Sequence, residues 1–435
     1  MLKKYFFVLF FFLTAAHAEN KEAAAAAHEV PEAMAAQSIS LDALLAYAEQ
    51  HSPALLVAQS TRARAEAAHV AASALLPANP ELSVAAGPLF GRAGTGVGVN
   101  ASLMQQVHIA GERGLQMAGA HQTLKLTEAE IQQVRWEVHC GIRESFFLAL
   151  LAQERLKLAQ HILRFHSEVL RVVERQISIG EAAPLSLRIA QAEVAQAKQA
   201  HVASQQAFLS ARIQLAQLSG WPAQSPPVPT GVLGPPVAVP SLEQLVDMAQ
   251  QNLPLLQVSL ARLQEAKARL SLSNRNVWPK PSVGLQWQYE GRQPNVPSTS
   301  LLMGAVSFAI PSFQRNQGER ARATAEATLS QVELQASQQL LYGKMAQLRG
   351  EALAAEERSR IYGADILPRF EENLHLLRRA FELGEMDILS LSAGVKRFLD
   401  IRHDALNAQQ DYVVALINLE RNVGVGISQE TVPGP

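Results

Sequence analysis

The chain has 435 residues, and its 38 Lys and Arg side chains against 39 Asp and Glu give a formal net charge of −1. Nucleic-acid-binding proteins usually present a basic excess on one face, so this near-neutral balance argues against DNA or RNA as a partner. The single cysteine, Cys140, excludes an intramolecular disulfide and a multi-cysteine zinc cluster.

The first eighteen residues predict a secretory signal peptide. Lys3 and Lys4 precede the apolar run 5–13, and Ala16-His17-Ala18 fits the small-x-small pattern before a cleavage site. The run is far shorter than the roughly 20 apolar residues that span a bilayer. No cysteine stands at the predicted cleavage site for lipid attachment. Residues 19–39 are rich in Ala and Glu, and we interpret them as a loose tail.

The rest of the chain predicts an internal duplication. Ser40-Leu41-Asp42 reappears as Ser241-Leu242-Glu243, and the same offset relates Pro53 to Pro254. Further matches follow in order, namely Gly111-Glu112-Arg113 with Gly318-Glu319-Arg320, Gly180-Glu181 with Gly384-Glu385, and Leu185-Ser186-Leu187 with Leu389-Ser390-Leu391. We therefore expect a first repeat at 40–220, a Pro/Gly-rich linker at 221–240, a second repeat at 241–426 and a C-terminal tail at 427–435.

Each repeat is predicted to contain two short helices, two strands and a long helical hairpin. Pro53 and Pro254 are placed as first residues of a helix, where a missing N–H costs nothing. An apolar period of seven runs through both hairpins, 112–220 and 318–424, which is typical of supercoiled helices. A helix over 112–178 would be roughly 100 Å long at 1.5 Å per residue, far longer than a compact globule requires.

Alternating residues predict four strands, at about 81–90, 95–107, 282–290 and 300–310. Their apolar face carries Val97, Val99, Leu285, Trp287, Tyr289, Val306 and Phe308. This pattern favours a membrane β-barrel with lipid outside and a polar lumen, and a soluble sandwich of half-buried strands is the alternative. About eight strands are the usual minimum for closure. Four would therefore have to share a barrel with other copies of the chain, and three copies would give twelve strands.

The arrangement resembles the outer membrane efflux protein (TolC-like) family over about residues 40–426. The resemblance is carried by the duplicated Ser-Leu helix starts, the Gly180-Glu181 and Gly384-Glu385 turns, and the helix ends Leu218-Ser219-Gly220 and Val423-Gly424. It implies a mainly α fold with membrane β-structure. The implied assembly is a homotrimer in the outer membrane of a Gram-negative bacterium, in which a shared twelve-stranded β-barrel, four strands per chain, continues as a long α-helical coiled-coil barrel through the periplasm.

Two stretches resemble the heavy-metal (cobalt–zinc–cadmium, CzcC-like) branch of this family. They are Gln-Gln-Val-His-Ile-Ala-Gly-Glu-Arg at 105–113 and Ile-Pro-Ser-Phe-Gln-Arg-Asn-Gln-Gly at 310–318. The first departs from the branch's usual Gly-Lys-Arg by having Glu112. The resemblance implies an exit duct that exports heavy-metal cations together with a periplasmic adaptor (membrane fusion protein) and an inner-membrane RND-type pump. The alternatives are the same duct for organic compounds or a secreted polypeptide, and a periplasmic coiled-coil scaffold without a pore.

The resemblance also implies that the two Gly turns form a periplasmic tip, where the channel closes and meets the adaptor. Carried over onto this sequence, the tip contacts are Gly180, Glu181, Pro184, Gly384, Glu385 and Asp387. The family's constricting aspartates correspond here to Ser390 and Ala393, so no acidic ring is predicted at those positions. A polar latch of Arg378, Arg379 and Glu382 with the tip acids is an alternative, and a solvated charged face is the plainer interpretation.

We predict no enzymatic activity, no cofactor and no resident metal site. Residues 94–98, Gly-Thr-Gly-Val-Gly, lead into a strand, whereas a phosphate-binding loop opens a helix. His139 and Cys140 are adjacent on a helix, so their side chains diverge by about 100° and cannot chelate one ion alone. His161 and His166, five residues apart, are also poorly placed for a shared metal. The energy for export must then come from a separate pump.

Overall fold

The computed structural model describes residues 38–91, 94–180, 183–232, 237–292, 297–363 and 376–427. The predicted signal peptide, most of the N-terminal tail and all but the first residue of the C-terminal tail lie outside these ranges, and so does Glu181. The first repeat contains β1 (Ser38–Ile39), α1 (Leu41–His51), α2 (Pro53–Ala72), β2 (Glu81–Gly91), β3 (Gly94–Gln106), α3 (Glu112–Ser178) and α4 (Pro184–Ser219). After β4 (Val228–Pro229), the second repeat contains α5 (Leu242–Asn252), α6 (Pro254–Arg275), β5 (Ser282–Glu290), β6 (Thr299–Ser307), α7 (Gln317–Ile361), helical residues 376–382 and α8 (Ile388–Val423).

Serine and proline residues define the starts of the short helices in both repeats. Ser40 Oγ accepts a hydrogen bond from the Ala43 N–H at 3.4 Å, and Ser241 Oγ accepts one from the Gln244 N–H at 3.3 Å. The Ser241 N–H donates in return to Gln244 Oε1 at 3.0 Å, which completes a capping box. Pro53 begins α2, where a backbone N–H would have no acceptor within the helix, so the N–H that proline lacks is not needed.

The long helices bury their seven-residue apolar period. Helix α3 has 67 residues, which corresponds to about 100 Å. In α8 every member of the period is buried, namely Leu391, Phe398, Ala405, Tyr412 and Leu419. The matching period of α4 is buried at Val194 and Leu215 but only half-buried at His201 and Phe208. One side of α4 is therefore less covered within a single chain than the equivalent side of α8.

Among the described residues, no helix is both long enough and apolar enough to cross a membrane.

Two equivalent apolar clusters lie where the two long helices of each hairpin pack against a short helix of the same repeat. Helices α1, α3 and α4 meet around Leu44 and Phe146 in the first repeat. Helices α5, α7 and α8 meet around Leu245 and Met345 in the second repeat. A third cluster, around Val173, brings α3, α4 and α8 together near the far ends of the long helices. The core is thus spread along rods rather than gathered in one centre.

Crossed ion pairs join the two repeats where α3 passes α8. Arg143 Nη1 lies 2.6 Å from Glu420 Oε2, and Arg421 Nη2 lies 2.7 Å from Glu144 Oε2. The Glu420 carboxylate is fully buried and also accepts a hydrogen bond from the Ile427 N–H at 2.9 Å. Removing one partner of a buried ion pair typically costs about 3–5 kcal/mol. These pairs therefore define which parts of α3 and α8 may lie side by side.

Glycines in the left-handed conformation end the helices of both hairpins. Gly180, Gly220, Gly384 and Gly424 have φ angles from 75° to 88°. A Cβ atom at Gly220 would lie 2.0 Å from the His51 carbonyl oxygen, and one at Gly424 would lie 2.3 Å from the Asn252 carbonyl oxygen. A Cβ atom at Gly180 or Gly384 would meet nothing within 4 Å among the described residues.

We expect Gly220→Ala to destabilise the protein far more than Gly180→Ala. Both changes force an alanine into the left-handed region, which costs roughly 1–2 kcal/mol, but only the first drives a methyl group into the backbone of α1. Thermal unfolding of each purified variant, followed by circular dichroism, measures the difference. Equal melting temperatures for the two variants would contradict the close approach of α1 and α4.

Candidate functional site

The strands of both repeats join in one four-stranded antiparallel sheet, in the order β2-β3-β5-β6. Because β3 pairs with β5, the centre of the sheet is formed between the two repeats. Leu103 pairs with Leu82 on one side and with Leu285 on the other, and Ala101 pairs with Trp287. Directly paired residues point to the same face of an antiparallel sheet. The register therefore gathers most of the apolar side chains of the four strands on one face, while Leu89, Met104, Leu301 and Met303 lie on the other.

The residues predicted to face lipid are placed together, with one exception. The apolar face of the sheet contains Val97, Val99, Leu285, Trp287, Tyr289 and Val306. Several of these side chains are widely exposed in the single chain, for example Val306 at 69% and Val97 at 58%. A continuous exposed apolar face of this kind indicates contact with another apolar surface.

The prediction that Phe308 belongs to a strand is wrong, because β6 ends at Ser307 rather than near residue 310. The physical reason is the register. Ser307 pairs with Ser282, the first residue of β5, so β6 has no strand beside it beyond that point. Phe308 then lies in the connection to α7, with 58% of its surface exposed.

The opposite face of the sheet is mostly small or polar. Gln286 Nε2 donates to Asn100 Oδ1 at 3.2 Å across the β3–β5 pair on this face. Gly284 also belongs to it, and a Cβ atom there would lie 2.0 Å from the Leu103 carbonyl oxygen. On the apolar face, a Cβ atom at Gly304 would meet nothing within 4 Å among the described residues. Gly284 is therefore required by the close approach of β5 to β3.

Gly284→Ala is expected to reduce the yield of folded protein strongly, because the added methyl group would separate β5 from β3. Gly304→Ala is the matched control, in the adjacent strand and with open space around the new methyl group. The yield of folded protein recovered from membranes, measured by size-exclusion chromatography in detergent, compares the two variants. Similar loss in both variants, or in neither, would count against the close β3–β5 contact.

The two outer strands of the sheet, β2 and β6, have no further partner strand among the described residues. The four strands contain 11, 13, 9 and 9 residues. A transmembrane β-strand needs about 9–11 residues. The sheet therefore has the height of a membrane-spanning wall and two open edges.

The two Gly turns predicted as a tip lie at the opposite end of α3 from the sheet. The Gly384 N–H donates to the Phe381 carbonyl and the Glu385 N–H donates to the Ala380 carbonyl, at 3.1 and 3.0 Å. Asp387 caps α8, because its Oδ1 accepts the Ser390 N–H at 2.9 Å. Hydrogen bonds from Ser390 lower the pKa of this carboxyl.

In the other turn, Gly180 follows α3, and Pro184 is the first residue of α4. The predicted contact Glu181 lies outside the described residues. Of the tip acids that are described, Glu385 and Asp387 are both exposed.

The predicted latch residues are only partly brought together. Arg378 contacts Glu382 on its own helical segment and Glu168 on α3, each at 2.9 Å. The hydrogen bond to Glu382 raises the pKa of the Arg378 guanidinium. Arg379 is exposed and makes no ion pair with any described residue. The pair with Glu168 therefore ties residues 376–382 to α3, but it does not reach the tip acids.

The histidines and the cysteine of α3 have separate environments. His139 Nε2 lies 2.7 Å from Glu49 Oε1 on α1, while the neighbouring Cys140 is fully buried. Burial raises the pKa of the Cys140 thiol to about 12, so the unreactive thiol form dominates at neutral pH. Burial also lowers the pKa of His166, and the Glu193 carboxylate partly opposes this shift. His161 is exposed on the same helix.

His166 should make the helical hairpins sensitive to acid. Its lowered pKa means that the unfolded chain binds a proton where the folded imidazole stays neutral, so stability is full above about pH 6.5 and falls below it. His166→Leu is expected to show a smaller loss of melting temperature between pH 7.5 and pH 5 than the parent. His161→Gln is the control and should keep the parental pH dependence. An unchanged dependence in His166→Leu would contradict the assignment.

Comparisons with known proteins connect this geometry to a family. The sequence model of the outer membrane efflux protein family matches residues 44–221. The match lies almost entirely within the first repeat. The chain is also 23% identical over 320 residues to the cobalt-zinc-cadmium resistance protein CzcC of Cupriavidus metallidurans, covering 73% of this chain and 75% of that protein. The resemblance predicted from the sequence is confirmed.

Solved structures of membrane channels share the fold. The structure of CusC, described as forming a transmembrane channel, has a TM-score of 0.70 at 17% identity and covers 89% of this chain and 92% of its own. The CmeC outer membrane channel of Campylobacter jejuni has a TM-score of 0.70 at 14% identity, over 89% and 86% of the two chains. The predicted TolC-like fold is confirmed. Because the matching family model is that of outer membrane efflux proteins, the prediction that the chain is not an enzyme is also confirmed.

Proposed function

We propose that this chain is the outer-membrane exit duct of a tripartite efflux system and exports heavy-metal cations. The observation that carries the proposal is the open four-stranded sheet, of membrane-spanning height, at one end of helices about 100 Å long. The likeness to CzcC, whose name describes cobalt, zinc and cadmium resistance, supports the cargo. The proposed partners are a periplasmic adaptor and an inner-membrane RND-type pump.

The sheet supports assembly into a homotrimer. In lipid, each backbone N–H and C=O group without a hydrogen-bond partner costs several kcal/mol, so the free edges of β2 and β6 must be covered. Placing β2 of one copy beside β6 of the next covers both edges with the same contact. Three copies then supply twelve strands, with the apolar face toward lipid and the polar face toward the lumen.

The helices support a wall that continues beyond the membrane. Each chain contributes two hairpins whose apolar sides pack within the chain, and the exposed side chains Leu329, Val332 and Leu340 on α7 remain for contact with a neighbouring copy. A tube of such hairpins would extend the barrel lumen through the periplasm. The predicted signal peptide, cleaved after about Ala18, would deliver the chain to that compartment.

The turns at the far end support an adaptor-binding tip. Glu385 is exposed beside the left-handed Gly384, and Asp387 holds the first turn of α8 in place. The Arg378–Glu168 pair ties the helical segment before this turn to α3 at 2.9 Å. Opening of the tip would require this segment to move away from α3, so the pair is the proposed restraint on opening.

Deleting the gene in its native host is expected to increase sensitivity to cobalt, zinc and cadmium salts. A plasmid copy of the full chain should restore resistance, and sensitivity to dyes and detergents serves as the control. The reason is that an RND-type pump has no route through the outer membrane without its duct. Unchanged metal tolerance together with new sensitivity to organic compounds would contradict the cargo and favour the same duct for drugs.

The assembly itself is tested on purified protein. The mature chain extracted from outer membranes should form a trimer by light scattering in detergent and should conduct ions in planar bilayers. A water-soluble monomer without conductance would contradict the duct and favour the periplasmic scaffold.

A further inference from the structure

We propose that His108 and Glu112, at the junction between β3 and α3, form a binding site for a divalent transition-metal cation of the zinc type. The site lies in the connection from the sheet to the helical hairpin, far from the tip. It differs from the sequence-based expectation of no resident metal site. It is also independent of metal export, because a bound cation could stabilise this junction whatever the duct carries.

A tight turn brings the two side chains together. The Val107 N–H donates to the Pro281 carbonyl at 2.9 Å, which fixes the end of β3 against the start of β5. Gly111 then reverses the chain with a φ angle of 76° and precedes α3. The Ala110 N–H donates to Glu112 Oε2 at 3.0 Å and so orients the carboxylate. His108 Nδ1 comes to lie 3.7 Å from the same oxygen.

Both side chains are buried and have polar atoms without partners. The His108 side chain is 10% exposed and the Glu112 side chain 0%. Neither His108 Nδ1 nor Glu112 Oε1 has a hydrogen-bond partner among the described residues, and neither does Gln105 Oε1 in the same segment. Buried polar atoms in native proteins are nearly always satisfied, so such a concentration indicates an additional bound species.

The distance between the two ligand atoms suits a shared cation. At 3.7 Å the pair is too far apart for a good hydrogen bond. Two ligands with bonds of about 2.1 Å to a tetrahedral zinc ion lie about 3.4 Å apart, so a small side-chain shift completes the site. An imidazole nitrogen with a carboxylate oxygen suits zinc and cobalt.

The site would hold its ion loosely. The described residues contain no group of three or more His, Cys, Asp and Glu side chains arranged around one metal ion. Water must therefore complete the coordination. Fewer protein ligands mean weaker and more reversible binding than in a closed structural zinc site.

The second repeat provides an internal comparison. There Asn316, with a φ angle of 56°, precedes α7, and the Arg315 N–H donates to Gln317 Oε1 at 2.7 Å. When the two repeats are aligned on the left-handed residues Gly111 and Asn316, Gln317 corresponds to Glu112 and Phe313 to His108. The sequence-based match of Gly318-Glu319-Arg320 with Gly111-Glu112-Arg113 is therefore displaced by two residues, because Gly318 already lies inside α7. An amide oxygen is sufficient to form the turn, so folding does not require the charge of Glu112 or the imidazole of His108.

A cation can reach the site through an adjacent cavity. His108 lines a cavity of about 440 Å³ between α2, α3 and α6, together with Gln116 and Thr123 of α3. Glu265 of α6 also lines it and accepts a hydrogen bond from Thr123 at 3.3 Å. The cavity, which Arg269 and Lys280 also line, provides the entry path that a metal site requires.

Titrating the purified full-length protein in detergent with zinc chloride, followed by isothermal calorimetry, tests the proposal. His108→Phe and Glu112→Gln each install the residue that the second repeat uses in the same turn, so both variants should fold. Each should weaken the binding attributed to this site by at least about tenfold, since even the loss of an outer-shell partner costs about 10–100-fold. His403→Gln and Glu319→Gln, at exposed positions on α8 and α7, should bind zinc as the parent does.

Zinc binding with parental affinity and stoichiometry in both site variants would overturn the proposal, as would a parent protein that binds no zinc. Circular dichroism and chromatography confirm that each variant is folded before titration. Metal sensitivity of cells expressing the variants is measured separately. Loss of zinc binding with intact export supports the site and leaves the proposed duct unaffected. Loss of export with intact zinc binding in both site variants overturns the site, because His108 and Glu112 would then act in export without holding zinc.

Discussion

Backbone hydrogen bonding at the two free edges of the sheet is the constraint on which the proposed function of this protein depends. The chain places four strands of membrane-spanning length side by side and covers neither outer strand among its described residues. Water can satisfy such edges, but lipid cannot. A duct built from this sheet therefore needs neighbouring copies, and the apolar face defined by the strand register determines which side of the shared wall contacts lipid. In the proposed assembly the long helices would form a ring of the same symmetry, because each pair of hairpins would continue from the sheet of one copy.

The duplication gives the two halves the same turns with different chemistry. Gly220 and Gly424 end equivalent helices and both lie against the carbonyl groups of a preceding short helix. The turns before the long helices are also equivalent, but one contains Glu112 near a buried histidine and the other contains the neutral Gln317. A repeated backbone geometry thus leaves side chains free to diverge. Comparing the two turns therefore distinguishes the residues that the turn geometry requires from the residues that are able to bind a ligand.

Much of the fold follows from local patterns. Ser241 and Gln244 form the capping box that their spacing predicts, and the seven-residue period of α8 is buried at every position. Local patterns fail where a partner far along the chain decides the outcome. The alternation around Phe308 continues past Ser307, yet the strand ends there because β5 begins at Ser282, opposite Ser307, and offers no partner beyond that pair. The latch prediction has the same weakness, since charges close in sequence do not show that Arg378 reaches Glu168 on α3.

The sequence by itself determined the helix starts, the alternating strands, the glycine turns and the family resemblance, because each depends on residues close together in the chain or on the whole pattern of the repeat. Only the tertiary structure decided that β3 pairs with β5 and that the buried Glu420 meets Arg143. It also decided that His108 and Glu112 approach within 3.7 Å. These contacts depend on how the chain turns in space and on which polar atoms are buried away from water. A periodic pattern in the sequence gives no information on either.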